Sequence, residues 1–339
     1  MSSFANTILT KIFQSYPQVN VIRSNPATLP TVLTRELLLS DVQFGYVCAI
    51  KADGDRALLF IIDIGDVKHI FLYDRKNNVT ILDSSLAKKV HISTFLLDVE
   101  AANVTLFDVE IIENDILIFD ALCIDNEIII NACYLTRHGM LTTYCQNQHQ
   151  PEIEIPKSVM YWRTGRDYFY IMDRIVMPKP IFPTSELNEL WSQYPRSEGI
   201  IFTKLQTRYT PFRYSLKNTL KWKKPKRISI DFLISSKSQG VISTIMDDKL
   251  TIYTSSTEGN VSLSVLADKK RNITLCRGHV TQPERYDGTI GEFVFRNGVW
   301  RMIGLRTDKT TPNSLETALS TLGTLVDPVT IQELITYLC

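Results

Sequence analysis

Short runs of alternating apolar and polar residues fill the chain from Val47 to Ile124. A period of two residues is typical of strands, and Asn, Asp and Gly residues of the kind that form turns separate the runs. The pattern predicts strands over residues 47–50, 57–64, 68–73, 79–82, 94–99, 104–112 and 115–124. Residues 1–46 and 125–156 are more typical of helix and loop, and a short amphipathic helix is expected to begin at Thr184. The first part of the chain should therefore be an antiparallel sheet that is rich in hairpins.

A second group of short strands follows Pro225-Lys226, where we expect a domain boundary. The predicted strands cover residues 228–234, 239–245, 249–254, 261–265, 291–295 and 299–303. Asn297-Gly298 is a strong signal for a tight hairpin turn. Five or six strands in so short a segment suit a small closed barrel of the OB type.

These patterns together predict an α+β protein with an antiparallel-sheet domain over residues 1–226 and an OB-fold barrel over residues 227–313. Residues 314–339 should form two short helices broken at Asp327-Pro328, since proline cannot continue a helix. We expect this C-terminal segment to pack back on the first domain.

The charge balance excludes a protein whose overall field attracts polyanions. The 339 residues include 37 basic and 36 acidic side chains, with a formal net charge of +1. A local basic cluster does occur over residues 217–227. The six cysteines are scattered without a Cys-x-x-Cys pair, and no signal peptide or apolar run of membrane-spanning length is present. We therefore expect an intracellular protein without a membrane partner, in the nucleus or at a viral replication site in the cytoplasm.

The first candidate for chemistry is Lys51-Ala52-Asp53-Gly54-Asp55-Arg56, which joins two apolar strands. We expect a hairpin here, whose backbone would hold Lys51 as a covalent nucleophile needs to be held. The pattern Lys-x-Asp-Gly-x-Arg arises by chance on the order of once in a few hundred chains of this length. An ordinary surface hairpin is therefore the alternative for these residues taken alone.

Charged residues inside the other apolar strands extend the candidate site. Glu110 and Asp120 are predicted on neighbouring strands, where a carboxylate is unfavourable unless a cation lies opposite. Glu198 comes directly before another strand that reads as buried. Lys221 and Lys223 should share one face of a strand, where they repel each other unless an anion lies between them; a solvated basic edge is the alternative.

The order of these motifs resembles the covalent nucleotidyltransferases, and within them the compact viral and yeast-like mRNA capping guanylyltransferases. The resemblance covers most of residues 45–312. It is carried by the lysine motif, Tyr73-Asp74-Arg75, Phe107-Asp108-Val109-Glu110 with Phe119-Asp120, Glu198-Gly199-Ile200-Ile201, Leu220-Lys221-Trp222-Lys223 with Ser229-Ile230-Asp231-Phe232, and Trp300 to Lys309.

What the resemblance implies is a set of roles for these positions. Lys51 would attack the α-phosphate of GTP, carry GMP as a phosphoramidate and pass it to the 5′-diphosphate end of an RNA. Neighbouring cations would favour its neutral amine, and Mg²⁺ or Mn²⁺ would bind near Glu110 and Glu198. The catalytic set implied is Lys51, Arg56, Glu110, Glu198, Lys221, Lys223, Asp231, Arg306, Asp308 and Lys309. The GTP-binding set implied is Ile50, Arg75, Phe119, Asp120, Ile201 and Arg163, with Phe119 and Ile201 sandwiching the guanine and Arg163 as a candidate for guanine specificity.

The same resemblance implies that Arg306 and Lys309 reach the β- and γ-phosphates when a cleft closes, with hinges near residues 224–228 and 310–314. A separate RNA triphosphatase, methyltransferase or RNA polymerase is the expected partner. Two alternative functions remain open, namely an ATP-dependent DNA or RNA ligase and a catalytically silent subunit of a transcription complex. Asp98-Val99-Glu100 also offers a second Asp-x-Glu, so that Glu100 competes with Glu110 for the motif position.

Overall fold

The computed structural model describes residues 2–14, 30–40, 42, 45–64, 67–82, 102–148, 167–194, 197–211, 218–235, 260–268, 271–281 and 283–339. By its internal contacts the chain forms two compact units. Unit 1 comprises Met1–Thr31, Val42–Lys221 and Leu338–Cys339, and unit 2 comprises Val32–Asp41 and Trp222–Tyr337. The strands predicted at 94–99, 239–245 and 249–254 lie outside the described residues.

The elements up to residue 223 are mostly strands. They are α1 (Ser2–Ile12), β1 (Thr31–Val32), α2 (Arg35–Ser40), β2 (Tyr46–Lys51), β3 (Asp55–Ile64), β4 (Val67–Asp74), β5 (Val79–Ile81), β6 (Asn103–Ile112), β7 (Asp115–Ile124), β8 (Glu127–Ile128), α3 (Tyr134–Asn147), β9 (Phe169–Ile171), β10 (Arg174–Pro178), β11 (Phe182–Pro183), α4 (Leu187–Gln193), β12 (Gly199–Lys204) and β13 (Thr219–Lys223). These strands form two sheets, one in the order β1-β13-β12-β2-β11 and one in the order β5-β4-β3-β6-β7-β10-β9, with β8 paired to β7. The strand pairs β2–β11, β2–β12, β3–β4, β3–β6, β4–β5, β6–β7, β7–β8 and β9–β10 are antiparallel, and the pair β7–β10 is parallel.

The larger sheet is buried on both faces, and β3 shows why. Leu58, Phe60 and Ile62 belong to one core, which also contains the apolar side of α1, while Leu59 and Ile61 belong to another, which contains side chains of α3. Because side chains alternate along a strand, a continuous apolar run supplies both cores.

The structure corrects the expected hairpin at Lys51. Strand β2 pairs with β11 and β12, whereas β3 pairs with β4 and β6, so the chain crosses from one sheet to the other between residues 51 and 55. Gly54 does not have the positive φ that a tight hairpin turn requires. It is needed for another reason: a Cβ there would collide with the carbonyl oxygen of Ile111 and lie 2.8 Å from Cγ of Glu110. The crossing therefore passes directly against the end of β6.

Unit 2 contains the closed barrel that the sequence predicts. Its elements are β14 (Ser229–Ser235), β15 (Asn260–Asp268), β16 (Arg271–His279), β17 (Ile290–Arg296), β18 (Val299–Leu305), α5 (Leu315–Val326) and α6 (Ile331–Leu338). The barrel order is β14-β15-β16-β18-β17, and Asn297 and Gly298 have φ of 52° and 78° in the predicted turn. Strand β16 was not predicted, but the α+β class with an added barrel is confirmed.

Helix α5 packs on the barrel of its own unit, and by internal contacts residues up to Tyr337 belong to unit 2 while Leu338 and Cys339 belong to unit 1. Leu315, Ala318, Leu322 and Leu325 of α5 lie in or against the core of the barrel. Their spacing of three or four residues forms one apolar stripe. Residue 313 also belongs to the barrel: Asn313 accepts from the backbone N–H of Asp231 at 2.7 Å, and its own N–H donates to the Asp231 carbonyl at 2.9 Å. Asn313, within the segment 310–314 where a hinge is predicted, is thus hydrogen-bonded to β14, and the hinge itself stays a prediction.

An arginine clip, defined here as Arg35 with Asp327 and Glu333, holds the turn between α5 and α6 to α2 within unit 2. The Arg35 guanidinium lies 2.9 Å from the Asp327 carboxylate and 2.6 Å from that of Glu333. Among the helices in the described ranges, none combines the length and the apolar character needed to cross a membrane.

Candidate active site

Lys51 and Glu198 meet where β2 ends and β12 begins. The two strands are antiparallel with Gly199 opposite Lys51, so the carboxylate of the preceding residue lies beside the lysine. The Lys51 ammonium forms an ion pair with Glu198, and it also lies 3.4 Å from the carbonyl of Ala52. The two side chains are 21% and 11% exposed. The sheet therefore holds the predicted nucleophile at a site that solvent can still reach.

Arg56 is held by a fully buried carboxylate. Its Nε donates to Oδ1 of Asp108 at 2.9 Å, and its Nη2 donates to Oδ2 of the same residue. The guanidinium lies over the ring of Phe119, with its carbon 4.7 Å from the ring centroid, a distance typical of a cation–π contact. The structure thus brings together Arg56 and Phe119, which the sequence placed in different motifs.

Asp108 has a second partner in Tyr209, which the sequence analysis did not single out. The Tyr209 hydroxyl donates to Oδ2 of Asp108 at 2.6 Å. Burial, and then the charge of Asp108, raise the pKa of Tyr209 well above its usual value, so the hydroxyl remains a donor at physiological pH. A tyrosine in a polar loop gave no sequence signal for this contact.

Glu110, the predicted motif glutamate, pairs with Lys179. The Lys179 ammonium lies 3.1 Å from Oε2 of Glu110 and 5.9 Å from the centroid of the Phe119 ring, and Lys179 is only 5% exposed. Sequence reasoning missed this residue. The available signal was a lysine between two prolines, directly after the apolar run that forms β10.

Asp120 is engaged by Arg137 through both of its oxygens. Arg137 Nε and Nη2 donate to Oδ1 and Oδ2 at 2.7 and 2.8 Å, and Nη1 donates to the carbonyls of Ala132 and Thr207 at 2.6 and 2.8 Å. Both residues are buried. This arrangement is that of a buried ion pair. The nucleotide contact that the resemblance implies for Asp120 stays a prediction.

The two lysines of β13 share a face, as predicted. Lys221 and Lys223 are half-buried, while Trp222 faces the other way and is buried. Within unit 2, the indole N–H of Trp222 donates to the carbonyl of Val329 at 2.8 Å. The core therefore fixes the orientation of this strand and of its lysines.

The predicted base-binding residues have different surroundings. Ile201 is half-buried and lies opposite Ala49, on the same face of the sheet as Lys51. Ile50 is 3% exposed and faces the other side, so only its backbone can take part in a site that contains Lys51. Arg75 is exposed in the turn after β4. Arg163 and the competing Glu100 lie outside the described residues.

Unit 2 has its own charged cluster, built from four predicted residues. Arg306 Nη1 donates to both oxygens of Asp231 at 3.0 and 2.9 Å, and its Nε and Nη2 donate to Asp308 at 2.8 and 2.7 Å. Lys309 forms an ion pair with the same Asp231 carboxylate. The hydrogen bond from Arg306 lowers the pKa of Asp308 to about 2. Asp231, on β14, thus holds both of the cations that the resemblance assigns to phosphate binding.

Over the described ranges, His, Cys, Asp and Glu side chains do not gather in groups of three that could hold a metal ion by themselves. Glu110 and Glu198 nevertheless supply hard carboxylate oxygens. Mg²⁺ is commonly bound by one or two carboxylates together with phosphate oxygens of the substrate, so this donor set fits such an ion.

Comparison with known proteins assigns both parts of the chain to one family. The sequence model of the mRNA capping enzyme catalytic domain matches residues 15–225, and that of the mRNA capping enzyme C-terminal domain matches residues 228–335. An mRNA-capping enzyme of Danio rerio is 29% identical over 141 residues, which are 42% of this chain and 21% of that protein. The chain therefore spans about a fifth of the length of that relative.

Two solved DNA ligases are distant structural matches to this chain. A mycobacterial DNA ligase D complexed with ATP is 14% identical with a TM-score of 0.43, and the match covers 84% of this chain and 96% of that one. A Chlorella virus DNA ligase-adenylate is 14% identical with a TM-score of 0.33, and the match covers 84% and 99%.

Proposed function

This chain belongs to the mRNA capping enzyme family, and from that premise we propose that it is a GTP:RNA guanylyltransferase. It would transfer GMP from GTP, through a covalent lysyl-GMP intermediate, to the 5′-diphosphate end of an RNA. The observation that carries the proposal is the position of Lys51. Lys51 is the last residue of a buried strand, and its ammonium pairs with the carboxylate of Glu198. The chain then crosses to the strand of the other sheet that carries Arg56.

The first half-reaction forms a bond from Nζ of Lys51 to the α-phosphorus of GTP and breaks the bond from that phosphorus to the oxygen that bridges to the β-phosphate. The bonding electrons leave with pyrophosphate. An ammonium has no lone pair, so Lys51 must lose a proton before it attacks. Glu198, which pairs with the ammonium in the structure, would orient the amine, and the proton would pass to solvent, which reaches this partly exposed site. In the second half-reaction a terminal phosphate oxygen of the RNA displaces Lys51 from the same phosphorus.

Glu110 and Glu198 would hold the divalent ion, Mg²⁺ or Mn²⁺, that nucleotidyltransferases of this kind use. Such an ion offsets the charge on the phosphate oxygens. In the structure each carboxylate instead holds a lysine, Lys179 and Lys51 respectively. In these pairs each carboxylate already faces a cation, the charge that a bound metal ion would also supply.

Phe119 is the described aromatic residue best suited to stack on the guanine. Arg56 and Lys179 both lie over its ring, which puts it among the cations of the site, and Ile201 is the residue proposed on the far side of the base. The remaining cations would grip phosphates: Lys221 and Lys223 near the α-phosphate, and Arg306 and Lys309 near the leaving group after closure.

Transfer of a label from nucleotide to protein tests the proposal. The full chain is incubated with Mg²⁺ and with GTP or ATP labelled at the α-phosphate, and the products are separated on a denaturing gel. We expect label from GTP that is lost on adding 5′-diphosphate RNA, and no label when the γ-phosphate of GTP carries it. Label from ATP would indicate a ligase, and label from neither would indicate a silent subunit.

The site of attachment is tested with Lys51→Ala, which should abolish labelling without unfolding the protein. Lys68→Ala is the matched control, because Lys68 is an exposed lysine on β4 of the same unit and is not part of the proposed site. Retained label on Lys51→Ala, mapped to another peptide, would overturn the assignment.

A further inference from the structure

Two buried aspartates lie directly opposite each other on β6 and β7. Asp108 on β6 faces Asp120 on β7 in the strand register, and each is neutralised by its own arginine. Like charges opposite each other on paired strands destabilise a sheet unless each has a cation. The two ion pairs, with Arg56 and with Arg137, are therefore both necessary in this position.

Tyr209 links the two ion pairs. Its hydroxyl donates to Asp108 at 2.6 Å, and its ring centroid lies 5.9 Å from the guanidinium carbon of Arg137. The residue is itself held in place, because its backbone N–H donates to the carbonyl of Ile130 at 2.9 Å and Tyr209 is 3% exposed. A rigid side chain thus presents a fixed donor to the Asp108 carboxylate.

The donor and Arg56 share one oxygen. Oδ2 of Asp108 accepts from the Tyr209 hydroxyl and from Nη2 of Arg56, while Oδ1 accepts from Nε of Arg56. The hydroxyl therefore fixes the plane of the carboxylate. That plane fixes the plane of the guanidinium, since a bidentate pair keeps the two nearly coplanar. The guanidinium in turn lies over the Phe119 ring at 4.7 Å.

We propose that Tyr209 is a positioning residue for nucleotide binding, which acts through Asp108 and Arg56 to set the orientation of the Phe119 ring. The inference rests on the proposed function, because it requires that Arg56 and Phe119 contact the nucleotide. Removing the hydroxyl takes away one of the two donors on Oδ2 of Asp108, so the carboxylate and the guanidinium bound to it are held less firmly and the stacking surface loses its fixed angle. A misplacement of about 1 Å in a binding group can lower a rate by up to about 100-fold.

Tyr209→Phe tests this, because it removes one oxygen atom and keeps the ring contacts. Adduct formation with labelled GTP is measured in single turnover over a range of GTP concentrations, together with the final amplitude and the melting temperature. We expect the GTP concentration for half-maximal rate to rise about tenfold while the amplitude stays near that of the wild type. A merely structural role would lower the amplitude and the melting temperature and leave the half-maximal concentration unchanged.

The matched control is Tyr144→Phe, which also removes a buried tyrosine hydroxyl. That hydroxyl is bonded to Thr105 on β6 and not to Asp108. It should leave the half-maximal GTP concentration within about twofold of the wild type. A second comparison uses Arg56→Lys, which cannot form the bidentate pair; in that background Tyr209→Phe should have no further effect on the half-maximal concentration.

The inference is overturned if the wild type is labelled and Tyr209→Phe behaves like Tyr144→Phe, or if its effect is undiminished in the Arg56→Lys background. Absence of label on the wild type is a different result. It would overturn the proposed function, and the positioning role would fall with it because Arg56 would have no nucleotide to meet.

Discussion

Replacing Arg306 with alanine should slow formation of the enzyme–GMP adduct far more than transfer of GMP from an adduct already made. The guanidinium is fixed on two sides, by Asp231 at 2.9–3.0 Å and by Asp308 at 2.7–2.8 Å, so its orientation on the barrel is set before any phosphate binds. Removing one positioned donor of this kind slows a reaction by about 100- to 1000-fold, or about 2.7–4 kcal/mol. Once pyrophosphate has left, nothing remains for this residue to stabilise, and transfer should change by only about threefold.

Loss of folding cannot account for such a difference in rate. The Arg306 and Asp308 side chains are 25% and 50% exposed, and Asp231 keeps Lys309 as a partner after the substitution. The free energy of unfolding should therefore fall by only about 1–2 kcal/mol. Arg301→Ala is the matched control, because Arg301 is an exposed arginine on β18 of the same barrel.

The assay is single-turnover measurement of each half-reaction, first from free enzyme and labelled GTP, then from isolated adduct and 5′-diphosphate RNA. Equal losses in both steps would refute the leaving-group role and favour RNA binding or stability. No loss in either step would remove Arg306 from the active site.

Three further predictions concern the carboxylates. Glu110→Ala should cripple adduct formation and Glu100→Ala should leave it mostly intact, because Glu110 lies on β6, the strand next to that of Phe119. The opposite pattern in the labelling assay would identify Glu100 as the motif glutamate. Arg137→Met should lower the free energy of unfolding by about 3–5 kcal/mol because it leaves Asp120 buried without its cation, and adding Asp120→Asn should restore most of the loss in a urea titration; a single variant within about 1 kcal/mol of wild type would contradict this. The hydrogen bond from the arginine of the clip lowers the pKa of Glu333 from 4.5 to about 2, so its contribution to stability is present above pH 4.5 and lost as the pH falls towards about 2. Glu333→Gln should remove that acid-dependent loss from melting curves, and an unchanged pH profile would show that the clip does not act this way.

The sequence by itself determined the main secondary-structure elements and the chemical type of each candidate site residue. A period of two residues depends on which side chains must be buried, so the strands from Tyr46 to Ile124 and the Asn297-Gly298 turn could be predicted from local order. The motifs likewise identified Lys51, Glu110 and Glu198 as candidates, because an uncommon residue type in an apolar strand is visible without a structure.

Only the tertiary structure decided which residues meet. Periodicity states that a side chain is buried but not which residue it faces, and the decisive partners lie far apart in sequence: Lys51 and Glu198 are separated by 147 residues, and Asp108 and Tyr209 by 101. Arg137 illustrates the reason. The sequence of a polar stretch does not distinguish an arginine that will be buried from one that will be solvated. Arg137 is buried because β7 places Asp120 within reach of its guanidinium. The crossing after Lys51 follows the same logic, since its direction depends on which strands pair with β2 and β3 rather than on the residues of the turn.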